Sequence, residues 1–354
     1  MPEKRSLGFG RRDAVAGTGD GTGATDGPAL MDDTAAAALL PDRPIRGHKG
    51  TFGKVLAIAG SLDYAGAALL VCRAAGRAGA GLVTLAIPES LQPLFAAKVV
   101  EATTMALPED DVEEVDPEPA IARILDHEHD AIVVGPGLRP GLATTDLVRM
   151  LLAVPDHDPS PAVPMVLDAE ALRAMATMGE WWTGPMRPCV LTPHPGEFER
   201  LREGAGIEPA DAGDLSADDA ARRAAALAAA QAWGQVVVLK GAKTVIAEPD
   251  GTVTVAPFEN PGLATGGTGD VLAGVIGGLL AQGLAPGPAA RLGVYLHGTA
   301  GDLIAERFGD AGLLASDLPD AVPIVRKRLA AIAERAKTGK RLGFAVRDGD
   351  GAGA

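Results

Sequence analysis

The sequence predicts an α/β fold, a three-layer α/β/α sandwich whose central sheet is mostly parallel and ends in an antiparallel edge. Three observations predict it. Short apolar runs alternate with Ala-rich helical segments, the pattern of a parallel sheet covered on both faces. The dipeptide Asp250-Gly251 separates two further apolar runs, and such a turn closes a hairpin. No linker interrupts the series, and 354 residues suffice for one large domain with a sizeable core.

The expected parallel strands are residues 55–59, 82–87, 131–134, 165–167, 190–191 and 236–239, each too continuously apolar for a sheet with one wet face. Residues 244–247 and 252–256 form the hairpin arms. Helices are expected at 65–78, 217–233, 270–282, 289–307 and 316–336, where apolar residues recur at helical spacing. Residues 1–32, Gly/Thr/Asp-rich up to Pro28, are expected to be a disordered N-terminal tail, 33–340 the domain, and 341–354 a C-terminal tail. Residues 108–119 read as an acidic, Pro-flanked, solvated loop.

Charge and composition exclude several functions. A formal charge of −14 repels nucleic-acid backbones and anionic lipid alike, and no basic patch offsets it. Aromatics at 3% are too few for a base-stacking platform. The uncharged run 271–290 contains Gln282, Pro286, Pro288 and several glycines, so it reads as a buried helix and a loop, not a membrane span. Arg11-Arg12 is followed by polar rather than apolar residues, which argues against a twin-arginine signal. Cys72 and Cys189 lack C-x-x-C spacing, which makes zinc improbable and fits a reducing, cytoplasmic setting.

In an open α/β sheet, ligands bind beyond the carboxyl ends of the strands. Polar or Gly-rich segments follow the expected strands at Gly60-Ser61, Gly135-Pro136-Gly137, Asp168-Ala169-Glu170, Thr192 to Glu197 and Lys240-Gly241. The sharpest signal is Asn260 to Asp270 (Asn-Pro-Gly-Leu-Ala-Thr-Gly-Gly-Thr-Gly-Asp), which runs into an apolar helix. Backbone N–H groups of Gly267, Thr268 and Gly269, aided by the helix dipole, suit an anion hole for a transferring phosphate. Asp270 then suits a base that deprotonates an attacking hydroxyl; the plainer alternative is an N-capping Asp.

Neither Gly53-Lys54 nor Gly339-Lys340 is followed by Ser or Thr, and G-x-G-x-x-G is absent, so Walker and Rossmann readings fail. Lys240, Gly241, Ala242, Lys243 and Thr244 could hold nucleotide phosphates, or Lys240 could be merely solvated. His194 is either a hydrogen-bonded turn histidine or a ligand contact. Glu197 either steers a hydrated Mg2+ or caps a helix beginning near Phe198. His127 and His129 read as surface residues, and His297 as a packed or capping histidine.

These motifs resemble the ADP-dependent NAD(P)H-hydrate dehydratases, a branch of the ribokinase-like superfamily. The resemblance runs from Gly47 to Pro323: His48 to Gly53, Gly135-Pro136-Gly137-Leu138, Leu191 to Glu197, Leu239-Lys240-Gly241, Asn260 to Leu272, and Val294 to Asp302. The His-Pro-Gly-Glu turn, where ribokinases carry Asn-x-x-Glu, and the last of these segments separate it from sugar kinases. The resemblance implies that ADP phosphorylates the hydroxyl of the S epimer of hydrated NADH or NADPH. Elimination of phosphate then restores the dinucleotide and leaves AMP.

It also implies roles. Asp270 would be the base and Gly267, Thr268 and Gly269 the anion hole. Lys240 to Thr244, Asn260 and Gly266 to Gly269 would line ADP, the co-substrate, with Mg2+ as cofactor. Ala67, Gly137, His194 and Asp270 would meet the hydrated dinucleotide. Relatives are commonly homo-oligomers, so a homo-oligomer such as a tetramer is expected here. Many carry an N-terminal epimerase domain, for which the roughly 45 residues before the first motif are too few, so a separate epimerase is the expected functional partner. Many also have Asp-Ala-Asp where this chain has Asp168-Ala169-Glu170, and Glu170 receives no role. Two alternatives remain: a vitamin-precursor kinase of the same fold that stops at the phosphorylated product, and a nucleotide sensor without turnover.

Overall fold

Successive strand residues point to opposite faces of a sheet, so a strand apolar at every position needs cover on both sides. The computed structural model, which describes residues 29–153, 162–207, 214–309 and 311–341, shows that cover. The strands are β1 (Ala29–Leu30), β2 (Lys54–Ile58), β3 (Leu82–Pro88), β4 (Thr103–Leu107), β5 (Glu109–Asp111), β6 (Glu114–Val115), β7 (Ala131–Val134), β8 (Met165–Leu167), β9 (Cys189–Leu191), β10 (Val236–Leu239), β11 (Val245–Ala247) and β12 (Val253–Val255). Ten of them form one sheet in the order β1-β12-β11-β10-β9-β8-β7-β2-β3-β4.

β11 pairs antiparallel with both β10 and β12, while all other pairings in that sheet are parallel. This is the expected antiparallel edge. The turn at Asp250-Gly251 closes it, with the Asp250 carboxylate accepting from the Thr252 N–H at 2.9 Å. One face carries Val55, Ala57, Val133, Val166, Val190 and Val238 against helices Ala65–Ala78, Thr268–Ala281, Pro286–Phe308 and Leu318–Arg341. The other carries Leu56, Ile58, Ile132, Met165, Leu191 and Leu239 against helices Pro117–Asp126, Leu142–Leu152, Glu170–Met175, Pro195–Gly204 and Asp219–Trp233. Among the described residues no helix is long and apolar enough to cross a membrane.

Three expectations are corrected. Residues 29–32 of the expected tail belong to the fold: Ala29 pairs with Thr254, Met31 is buried and Asp32 caps the next helix. A two-residue strand is too short to show any alternation. Residues 1–28 and 342–354 lie outside the described residues. The acidic stretch 108–119 holds the small β5–β6 hairpin and the start of helix Pro117–Asp126, not a plain loop. Its charge works locally: one oxygen of Glu109 accepts from the Glu113 N–H at 2.8 Å and from Ser90 Oγ at 2.7 Å.

The third correction concerns His127 and His129, which are half-buried with stacked rings 6.1 Å apart. His127 Nε2 lies 3.3 Å from Thr84 Oγ1, and burial moves the His129 pKa below its ordinary value. A histidine at the end of an acidic helix gives no sign that the neighbouring strand turns it inward.

Candidate active site

Strands β10, β9, β8, β7 and β2 are consecutive in the sheet and mutually parallel, so their carboxyl ends line one edge. All five expected segments meet there. The Gly60 N–H donates to the Pro136 carbonyl at 2.8 Å, joining the ends of β2 and β7. Gly137 has φ +68, and a Cβ on it would stand 2.8 Å from the Cβ of Ala67 and from the Tyr64 carbonyl oxygen. Two residues far apart in sequence and expected to touch the same ligand are thus in contact through a position that only glycine fills.

Helix Thr268–Ala281 begins after Gly267, whose φ of +90 lies in the left-handed region, and no side chain caps it. Of the N–H groups at its first turn, that of Thr268 donates to the Thr265 carbonyl at 3.3 Å, while those of Gly267 and Gly269 have no backbone partner among the described residues, an arrangement that suits an anion. Asp270 lies inside that turn, so the N-cap alternative fails. The Thr268 hydroxyl is also directed into the preceding loop, 2.7 Å from the Leu263 carbonyl oxygen. Asn260 braces the same loop: its Oδ1 accepts from the Gly262 N–H at 2.9 Å and its Nδ2 donates to Asp302 at 3.1 Å. Gly266 is exposed with open space around its α-carbon.

Burial first, and the charge of Asp168 second, push the Asp270 carboxyl up to about 7, against the pull of Lys240. A carboxylate poised there accepts a proton readily near neutrality. Lys240 Nζ donates to Asp168 Oδ1 at 2.8 Å and lies 3.7 Å from Glu197 Oε2. Burial opposes its charge, but Asp168, Glu197 and Asp270 together hold its pKa above the ordinary lysine value.

The loop after β10 is shaped from beneath by Arg222 of helix Asp219–Trp233. This guanidinium is 3% exposed and donates to the carbonyl oxygens of Leu239 at 3.1 Å, Lys240 at 3.3 Å, and Ala242. The side chains of Lys243 and Thr244 serve the fold: Lys243 Nζ pairs with Glu259 at 2.6 Å, and the Thr244 hydroxyl donates to the Gly241 carbonyl at 2.9 Å. What the segment from Lys240 through Gly241 and Ala242 to Thr244 presents to a ligand is chiefly its backbone.

His194 is the N-cap of helix Pro195–Gly204, its Nδ1 accepting from the Gly196 N–H at 3.0 Å. Glu197 completes the capping box by accepting from the His194 N–H at 2.9 Å. Both plainer readings hold for these atoms, while the His194 side chain stays 53% exposed, with Nε2 3.6 Å from Glu197 Oε1. No cluster of three or more potential metal ligands occurs among the described residues.

Sequence reasoning gave no role to Asp168 or Arg222, and it read His297 as a packed or capping histidine, which agrees with its burial. Asp168 had a usable signal, as a carboxylate directly after an apolar strand. His297 is buried and Arg222 lies mid-helix, and neither position announces a partner.

Residues 55–324 match the family model described as NAD(P)H-hydrate dehydratase. The chain belongs to this family. Among NAD(P)H-hydrate dehydratase relatives, a bifunctional NAD(P)H-hydrate repair enzyme from Moorella thermoacetica is 46% identical over 85% of this chain and 54% of its own length. The chain thus spans about half the length of the bifunctional relatives it matches. An ADP-dependent (S)-NAD(P)H-hydrate dehydratase from Xanthomonas campestris is 38% identical over 86% of this chain and 98% of its own.

A solved structure from Bacillus subtilis, an ADP/ATP-dependent NAD(P)H-hydrate dehydratase co-crystallised with ATP/Mg2+, superposes with TM-score 0.70 at 34% identity, over 86% of this chain and all of that one. A ribokinase-like superfamily protein from Enterococcus faecalis gives 0.69 at 26% identity, covering 88% and 99%. The dehydratase-family fold here is therefore ribokinase-like, as the motifs implied.

Proposed function

We propose that this protein is an ADP-dependent (S)-NAD(P)H-hydrate dehydratase. The observation that carries the reading is Asp270, a carboxyl with a pKa near neutrality set in the first turn of a helix whose N-terminus is uncapped. One element thus supplies both a base for a hydroxyl proton and N–H groups for a phosphoryl group. The standalone relatives from Xanthomonas campestris and Bacillus subtilis, each 38% identical, support the same activity.

Asp270 takes the proton as the hydroxyl oxygen of the hydrated ring attacks the terminal phosphorus of ADP, and AMP leaves. The N–H groups of Gly267 and Gly269, joined by that of Thr268 as it leaves the Thr265 carbonyl, hold the equatorial oxygens of the transferring group, and Lys240 adds positive charge. The new C–O–phosphate bond then breaks, phosphate departs with the electron pair, and loss of a proton from the adjacent carbon restores the dihydropyridine. The exposed turn around His194, with Ala67 and Gly137, holds the dinucleotide, while the Lys240–Thr244 and Asn260–Gly269 backbones hold ADP.

Mg2+ keeps most of its waters and is held largely by phosphates, so a site needs only one or two carboxylates. The donor set fits that requirement: Glu197 Oε2 accepts from the His194 N–H, and Oε1, 3.6 Å from His194 Nε2, would meet a metal-bound water. When bound, the ion would neutralise phosphate charge. Pairing with a hydrate epimerase, homo-oligomeric assembly and a cytoplasmic setting complete the proposal.

The test is the absorbance of the reduced nicotinamide band in a mixture of protein, hydrated NADH and Mg2+, after adding ADP or, separately, ATP. Recovery with ADP is expected. No recovery with either nucleotide would overturn the reading in favour of a kinase acting on hydroxylated vitamin precursors.

A further inference from the structure

Asp168 follows β8 directly and is 2% exposed. Its backbone is held at both ends: the N–H donates to the Val134 carbonyl at 3.2 Å, and the carbonyl accepts from the Ala171 N–H at 3.1 Å. The next residue, Ala169, has φ 50 and ψ −116, a conformation that L-residues rarely adopt and that persists only where the surroundings enforce it. A buried carboxylate on such a turn has one direction to face.

That direction is toward Lys240 and Gly269. Asp168 Oδ1 accepts from Lys240 Nζ at 2.8 Å. A Cβ on Gly269 would stand 3.6 Å from Asp168 Oδ2 and 3.5 Å from Lys240 Nζ, so the ion pair lies against the middle of the anion nest. Lysine is a point charge on a flexible stem and takes whatever position its partners impose. The charged groups around this ammonium are Asp168, Glu197 and Asp270, and Glu197 is already tied to the His194 N–H. Without Asp168 the ammonium would turn to Asp270, weakening it as a base and withdrawing charge from the phosphoryl position.

We propose that Asp168 is a positioning residue that pins the Lys240 ammonium beside Gly269, so that one cation serves both the phosphoryl group and the ionised form of Asp270. This rests on the phosphoryl-transfer reading above.

The experiment is a double-mutant cycle of Asp168→Asn and Lys240→Met, with kcat, KM for ADP and the pH profile of kcat measured for each folded variant. Asp168→Asn alone is expected to lower kcat about 10- to 100-fold, the scale of losing one oriented donor. It should also move the acid limb of the profile down by about one pH unit, because a negative neighbour is gone. In the Lys240→Met background the same substitution should change kcat less than about threefold, the mark of residues acting as a unit. Additive losses, or an unmoved acid limb, would overturn the proposal.

Wild-type protein without turnover would instead refute the dehydratase reading. The Asp270 carboxyl titration, followed by its 13C resonance in wild type and Asp168→Asn, then decides separately. A downward move supports the positioning role and no move refutes it. Circular dichroism and thermal melting identify a variant that fails to fold; in that case Asp168→Glu, which keeps the charge and displaces it, should show the kcat loss without the shift of the acid limb.

Discussion

His297 Nε2 lies 2.9 Å from the carbonyl oxygen of Thr268, the first residue of the helix that carries Asp270. Burial lowers the His297 pKa to about 4, so the ring is neutral near pH 7, and because a carbonyl only accepts, Nε2 carries the proton. One buried hydrogen bond from helix Pro286–Phe308 thus holds the first residue of the helix that carries Asp270.

Replacing His297 by Leu should leave the Thr268 carbonyl without its second donor and cost about 1–3 kcal/mol, read by urea unfolding. It should also lower kcat roughly 10-fold with KM for the dinucleotide little changed, because the nest is displaced rather than removed. His297→Gln, which can still donate, should recover part of both. A Leu variant with wild-type kcat would show that the bond serves stability alone.

Asp270→Asn should reduce kcat by roughly 10²-fold or more, the scale of general-base catalysis, while ADP still binds in calorimetry. An unchanged turnover rate would refute the assignment of the base.

The raised Asp270 pKa also sets two pH dependences. The base must be ionised, so kcat should fall about tenfold per unit as pH drops below about 7. Stability runs the other way: between an unfolded value near 4 and the folded value near 7 the native state holds the extra proton, so this carboxyl makes stability decline as pH rises through that window. Asp270→Asn should therefore raise the melting temperature by a degree or more at pH 8 and leave it nearly unchanged about one unit below the unfolded value, where both states are largely protonated.

A Cβ on Gly274 would stand 2.4 Å from the Val71 carbonyl oxygen and 2.9 Å from the Ala74 Cβ. Gly274→Ala should therefore separate helices Ala65–Ala78 and Thr268–Ala281, at a cost of about 1–3 kcal/mol in chemical denaturation. Because these helices carry Ala67 and Asp270, kcat should fall as well.

Burial pushes the thiols of Cys72 and Cys189 up to about 12, and both are free. Native protein at pH 8 should take up little iodoacetamide over an hour by intact-mass measurement, and protein in strong denaturant should take up two equivalents.

The parts of the fold that were legible rest on local pattern. Strands β7, β8 and β10 and the helix Ala65–Ala78 fall at the expected residues because continuous apolar runs or a long helical stripe mark them. β1 and β4 escaped notice: the first is two residues long, and the second, Thr-Thr-Met-Ala-Leu, is an edge strand with mixed exposure. In the site, the glycines around Asp270 were legible since several N–H groups must turn one way. Asp168, Lys240 and Glu197 meet only because β8, β9 and β10 are neighbours in the sheet, and that order is a long-range fact.

The Arg222 guanidinium also has a bearing on how the site is assembled. By collecting three carbonyl oxygens it aligns the peptide planes of the Lys240–Ala242 segment, so this segment takes its shape from a helix formed earlier in the chain. Beyond the Thr244 hydroxyl on the Gly241 carbonyl and the Lys240 N–H on the Pro193 carbonyl, the segment is held by helix Asp219–Trp233 packed on the sheet. The proposed nucleotide site thus depends on long-range packing, so a chain in which that helix is not docked should bind ADP poorly.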